Sequence, residues 1–125
     1  MTGSAERYNA RYPFLPQTFE IAVVSCAALS GPPLTDDRQF YYQADEDLTK
    51  TKIDLMLEGL RRMKCTAAVL SAFGCGAFGN PPDVIARLFK DALDREPAGS
   101  SLREVFRRCS RTSKSKKLES LAVKK

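Results

Sequence analysis

The chain has 125 residues, 43% of them hydrophobic and 28% charged, which is the composition of one globular domain with a modest core and not of a disordered or multidomain chain. It contains no His, so the commonest general base and metal ligand is excluded, and chemistry must come from carboxylates, thiols, hydroxyls or backbone amides. The net charge of +5 is uneven: from Phe106 onward eight Lys or Arg face the single acid Glu119, a net of +7 that leaves −2 for residues 1–105.

Residues 1–13 read as a polar N-terminal extension, and no apolar run approaches the ~20 residues that cross a bilayer, so neither signal peptide nor anchor is expected. The first strand is expected over residues 19–26, a nearly continuous apolar run with β-branched residues, which suits a strand covered on both faces of a parallel sheet. A loop with Gly, Pro and Asp follows over residues 31–47, interrupted by the aromatic patch Phe40, Tyr41 and Tyr42; its length suggests a function or a missing partner surface. The spacing then predicts a helix over residues 47–63, with Ile53, Met56, Leu57 and Leu60 on one buried face and Glu58 and Arg62 paired four apart on another. A second strand is expected over residues 66–72 and a second helix over residues 81–94, the latter burying Val84, Ile85, Leu88, Phe89 and Ala92. Strand, helix, strand, loop, helix is a βαβα order, which predicts a parallel sheet. Residues 101–106 begin like a further helix or strand. The basic tail, residues 107–125, reads as mostly disordered with a weak helical tendency over residues 118–123, and offers at most a weak nucleic-acid contact.

Four cysteines, Cys26, Cys65, Cys75 and Cys109, show no C-x-x-C spacing. Neither a zinc site nor a disulfide framework is therefore expected, and reduced thiols suit a cytoplasmic or nuclear protein.

The segment that carries chemistry is the loop Gly74, Cys75, Gly76, Ala77, Phe78, Gly79, followed by Asn80, Pro81 and Pro82. It has the G-x-G-x-x-G pattern between a strand and a helix. Yet with Asn80 as N-cap, Pro81 at the first helical position and Pro82 removing a further N–H, the helix terminus offers few donors for a phosphate. The ribose-binding acid of a dinucleotide site would be Asp94, at a helix end instead of a strand end. The better reading is a nest, in which three glycines permit positive φ and turn loop amides toward one anion, with Phe78 laid against a ribose or base. The alternative is a tight turn with Phe78 in the core. A thiol among backbone amides at Cys75 could have a lowered pKa, but without His it lacks a partner base.

Residues 69–82, together with Val84, Ala86 and Phe89, resemble the L-G-A-x-G-C-G-A-F-x-N-P-P-x-x-V-A signature of the microbial-type poly(ADP-ribose) glycohydrolase family. Residues 14–16, 23–25 and 31–35 resemble the stretch that precedes the helix in that family, so the likeness covers residues 14–106. The resemblance implies a partial macrodomain-like three-layer α/β/α fold with a mostly parallel sheet. It implies ADP-ribose or poly(ADP-ribose) as ligand, residues 74–80 as the diphosphate and ribose loop with Phe78 on the distal ribose, and no metal or other cofactor. The family cleaves a ribose to ribose bond, which requires a carboxyl group at the leaving oxygen. In the family that carboxyl lies in an N-terminal glycine-rich loop ending in Gln-Glu-Glu. This chain has no Gly-Gly pair, and residues 43–46, Gln-Ala-Asp-Glu, read as a helix start favoured by the helix dipole. No catalytic residue is therefore assigned, and a complementary chain supplying the missing half is an expected partner. The competing expectation is a non-enzymatic phosphate- or nucleic-acid-binding module that uses the basic tail.

Overall fold

The computed structural model describes residues 13–107 and 119–122. The N-terminal extension up to residue 12, Cys109 and most of the basic tail thus lie outside the described residues. The elements in order are α1 (Gln43–Arg62), β1 (Ala67–Leu70), α2 (Pro82–Asp94), β2 (Glu104–Arg107) and β3 (Glu119–Ala122). This is a mixed α/β arrangement. Strand β1 pairs with β2 in parallel, with Val69 opposite Phe106, and β2 pairs with β3 antiparallel, in the order β1-β2-β3.

Helix α1 forms where the apolar period demands it: Ile53 and Leu57 are fully buried, and Met56 and Leu60 pack against the same core. Asp45 and Glu46 occupy its first turn and Arg61 and Arg62 its last, matching the helix dipole at both ends. It begins at Gln43, a turn earlier than the apolar period indicates, because polar side chains extend it: Gln43 Nε2 donates to Asp47 Oδ1 at 3.0 Å, and Thr49 Oγ1 to the Asp45 carbonyl at 2.8 Å. Helix α2 buries Val84, Ile85, Leu88, Phe89, Ala92 and Leu93. Cross-helix ion pairs join Arg87 to Glu46 at 2.8 Å and Arg95 to Asp54 at 3.0 Å. Neither helix is long and apolar enough to cross a membrane.

Glu58 accepts from Arg61 at 2.7 Å and from Arg62 at 2.9 Å, and Arg61 also reaches Glu96. The hydrogen bond from Arg61, reinforced by that from Arg62, holds the Glu58 carboxyl below its ordinary value of 4.5. A depressed carboxylate adds stability that is present above the unfolded-state value and is lost as pH falls through the folded one. Glu58→Gln is accordingly expected to flatten the acid limb of stability below about pH 4.5 and to change little at neutral pH. Thermal unfolding followed between about pH 7 and pH 3 tests this, and an acid limb identical to wild type would show that the pair is not the cause.

The core lies between the helices and one face of the sheet, where Ala68, Leu70 and Val105 are buried with Ile53, Leu57, Leu88 and Phe89. The opposite face is bare among the described residues, and Val69 on it is 75% exposed. Three expectations need correction. Among the described residues, 19–26 carry no strand pairing: they run without bend or turn beside β1, with Phe19, Ile21 and Val23 exposed. A continuous apolar run needs cover on both faces and a ladder on its edges, and the described chain supplies neither. The weak helical tendency at residues 118–123 gives way to β3 over Glu119–Ala122, because the open edge of β2 offers a ladder that outweighs local preference. The disorder expected over residues 107–125 likewise does not hold at Arg107, in β2, or at β3.

Candidate functional site

The loop after β1 is shaped by glycine at two positions. Gly74 and Gly79 both sit at φ +70, whereas Gly76 does not adopt positive φ, so two of the three glycines serve the turn as expected and one does not. Gly74 also permits a close approach: a Cβ there would lie 2.5 Å from both the Ala28 Cβ and the Asn80 Nδ2. At Gly76 a Cβ would meet nothing within 4 Å, so that glycine is an open face of the loop.

Asn80 is not the N-cap of α2. Pro81 holds that position at φ −73 and ψ 116, and Pro82 begins the helix. The Asn80 side chain is instead buried inside the loop, where Nδ2 donates to the Leu29 carbonyl at 2.7 Å and to the Gly74 carbonyl at 3.1 Å. Its own amide donates to the Gly74 carbonyl at 3.0 Å. The physical reason is competition: two converging carbonyls in a buried place need a donor more than a proline-led helix start does. A second stitch, from the Gly31 amide to the Phe78 carbonyl at 2.8 Å, ties the loop to the segment that follows residues 19–26.

The amides of residues 75–80 divide into two sets. Cys75, Gly79 and Asn80 donate to the carbonyls of Ala72, Gly76 and Gly74 and are closed to a guest. Gly76, Ala77 and Phe78, consecutive and exposed, donate to no acceptor among the described residues. Phe78 is 44% exposed and so is not a core residue. Cys75 is half-buried, its thiol 3.5 Å from the Phe73 carbonyl. The exposed amides left without an acceptor are thus fewer than residues 74–80: they are those of Gly76 to Phe78, on a frame made by Gly74, Gly79 and Asn80. Asn80 could not have been assigned from sequence, because an N-cap and a buried loop donor call for the same residue type.

Among the described residues no group of three or more Cys, Asp or Glu is placed to hold a metal ion. Comparison of the chain with family models, with curated proteins and with solved structures finds no match.

Proposed function

We propose that this chain is an ADP-ribose-recognising module, related to the microbial-type poly(ADP-ribose) glycohydrolases, that binds the ligand's diphosphate without cleaving the glycosidic bond by itself. On this reading the fold is the part of a three-layer macrodomain-like domain that carries the diphosphate loop, while the catalytic carboxyl belongs to a complementary glycine-rich segment. The observation that carries it is the run of three exposed amides, Gly76 to Phe78, without an internal acceptor and beside an exposed aromatic ring. Amides left open in a stiff loop at the C-terminal end of a parallel strand suit an anion, and a neighbouring ring suits a ribose. In solution, such a site grips oxygens that carry charge but no proton.

The test is calorimetric titration of ADP-ribose into wild type and Gly76→Asp. The substitution places a carboxylate in open space next to the amides, so it repels the diphosphate without a steric clash. A loss of affinity of about tenfold to a hundredfold, or about 1.4–2.8 kcal/mol, is expected, with Gly76→Ala near wild type. Equal affinity for wild type and Gly76→Asp, or no saturable binding at all, would overturn the reading. The competing nucleic-acid reading predicts RNA binding that disappears when Lys114, Lys116 and Lys117 are changed to Gln. Neutralisation is preferable to deleting the tail, because deletion would also remove β3 from the sheet.

A further inference from the structure

A cleft of about 540 Å³ runs between residues 20–24 and β1. Its two walls are two segments of the chain. One wall is β1, which among the described residues lies at the end of the sheet and pairs with β2 alone. The other is the unbent run of residues 20–24, none of whose backbone groups is hydrogen-bonded among the described residues. The floor is apolar and belongs to the helices: Met56, Leu60 and Phe89 all line the cleft. Ile21, 72% exposed, Val23, 69% exposed, and Val69 line it as well, on its solvent-exposed side.

The far wall is held in position. Val24 packs on α1 at Gly59, where a Cβ would come within 3.4 Å of it, and Lys52 Nζ donates to the Ala27 carbonyl at 2.7 Å. Both walls also run the same way. Residues 20–24 lead to Ala28 and Leu29, β1 leads to Gly74, and the two continuations meet where Leu29 bonds Asn80.

We infer that this cleft is a slot for one β-strand from a second polypeptide. Unpaired backbone on two facing walls needs a guest with hydrogen-bonding groups on both of its edges, which only an extended chain has; a helix or a lipid tail satisfies neither wall. An apolar floor beneath and an apolar rim above need alternate side chains that are apolar on both faces. The partner is therefore an extended, uncharged, β-branched segment of about four to six residues. Inserted, it completes a continuous sheet from residues 20–24 through to β3. Entering parallel to the walls, it delivers the residue after its last strand position to the end of the sheet that carries Gly76 to Phe78. The slot draws nothing from the loop, and it holds whether or not the loop binds ADP-ribose.

The experiment uses the full chain and two fluorescein-labelled peptides: Lys-Val-Thr-Val-Ile-Val-Lys, and the same peptide with proline in place of its central valine. Anisotropy is expected to show saturable binding of the first and at least tenfold weaker binding of the second, since proline cannot complete a ladder. Native amide exchange with the first peptide bound is expected to slow at residues 21–24 and at the β1 amides that do not bond β2. Met56→Lys, which places a charge on the floor, is expected to weaken binding at least tenfold. The inference is overturned by absence of binding at millimolar peptide, by equal binding of the proline peptide, or by binding without new protection of both walls. It is also overturned if both walls are already protected in the free chain, which would mean that residues 20–24 close onto β1 themselves. Titrating ADP-ribose into the same samples keeps failure of the slot distinct from failure of the loop.

Discussion

Gly74→Ala is expected to destabilise the folded chain by about 2–4 kcal/mol, from the left-handed backbone that alanine resists together with the overpacking it creates. Two separate features act at this position. The residue sits at φ +70, and its missing Cβ is the space into which Ala28 and the Asn80 amide are packed, each 2.5 Å from where that atom would stand. Asn80 is not free to yield, because bonds to the Leu29 and Gly74 carbonyls fix it. Urea unfolding at neutral pH measures the loss. Gly76→Ala, in the same loop but facing open space, should stay within about 0.5 kcal/mol of wild type. If the two variants unfold together, the close packing of the loop on residues 28–29 is wrong.

Asn80→Asp should be more damaging at neutral pH, by about 3–5 kcal/mol, the range for an uncompensated buried charge. The change is nearly isosteric, so packing is not at issue. It turns the one donor that holds two carbonyls into an acceptor that faces them, at a residue 1% exposed. Among the described residues no cation is hydrogen-bonded to the Asn80 side chain to offset the new charge. Burial raises the folded-state pKa of the introduced carboxyl above its unfolded value, so the deficit is greatest at neutral pH and shrinks as pH falls through that raised value. Asn80→Ala gives the contrast: it forfeits the same bonds without adding charge, for about 1–3 kcal/mol and with no such pH dependence. Unfolding curves of both variants at neutral and acid pH test this. A carboxyl variant no worse than alanine would show that the side-chain oxygen, not the nitrogen, faces the carbonyls.

Both helices were legible in the sequence because each turns an apolar stripe of helical period toward the core. Ile53 and Leu57 on α1, and Val84, Leu88 and Ala92 on α2, fall where a period of 3.6 places them. Strand β1 was legible as a short apolar run, but its pattern of burial was not: Ala68 and Leu70 are buried while Val69 is bare. The residues at 19–26 misled for the same reason. A run of apolar side chains records the surroundings a segment is suited to, and a single chain does not reveal whether those surroundings are present. Strand β3 was hidden by composition, since Lys and Ser on either side of it signal a solvated tail and the ladder that recruits it comes from β2. At the site, the glycines marked the loop correctly, but which amides stay open depends on Leu29 and Gly31, and no local pattern links those residues to Asn80 and Phe78.

The bond between Asn80 and Leu29 joins positions separated by 51 residues. The shape of the loop is therefore borrowed from a stretch on the far side of α1, and excising the glycine motif with its flanking strand and helix would leave it slack. Trimming the chain up to Gly31 would spare α1, α2 and their ion pairs, yet would remove the partners that Asn80 and Phe78 find at Leu29 and Gly31. Whatever grips or displaces residues 20–31 thus acts as a remote adjuster of the loop's stiffness, without touching it.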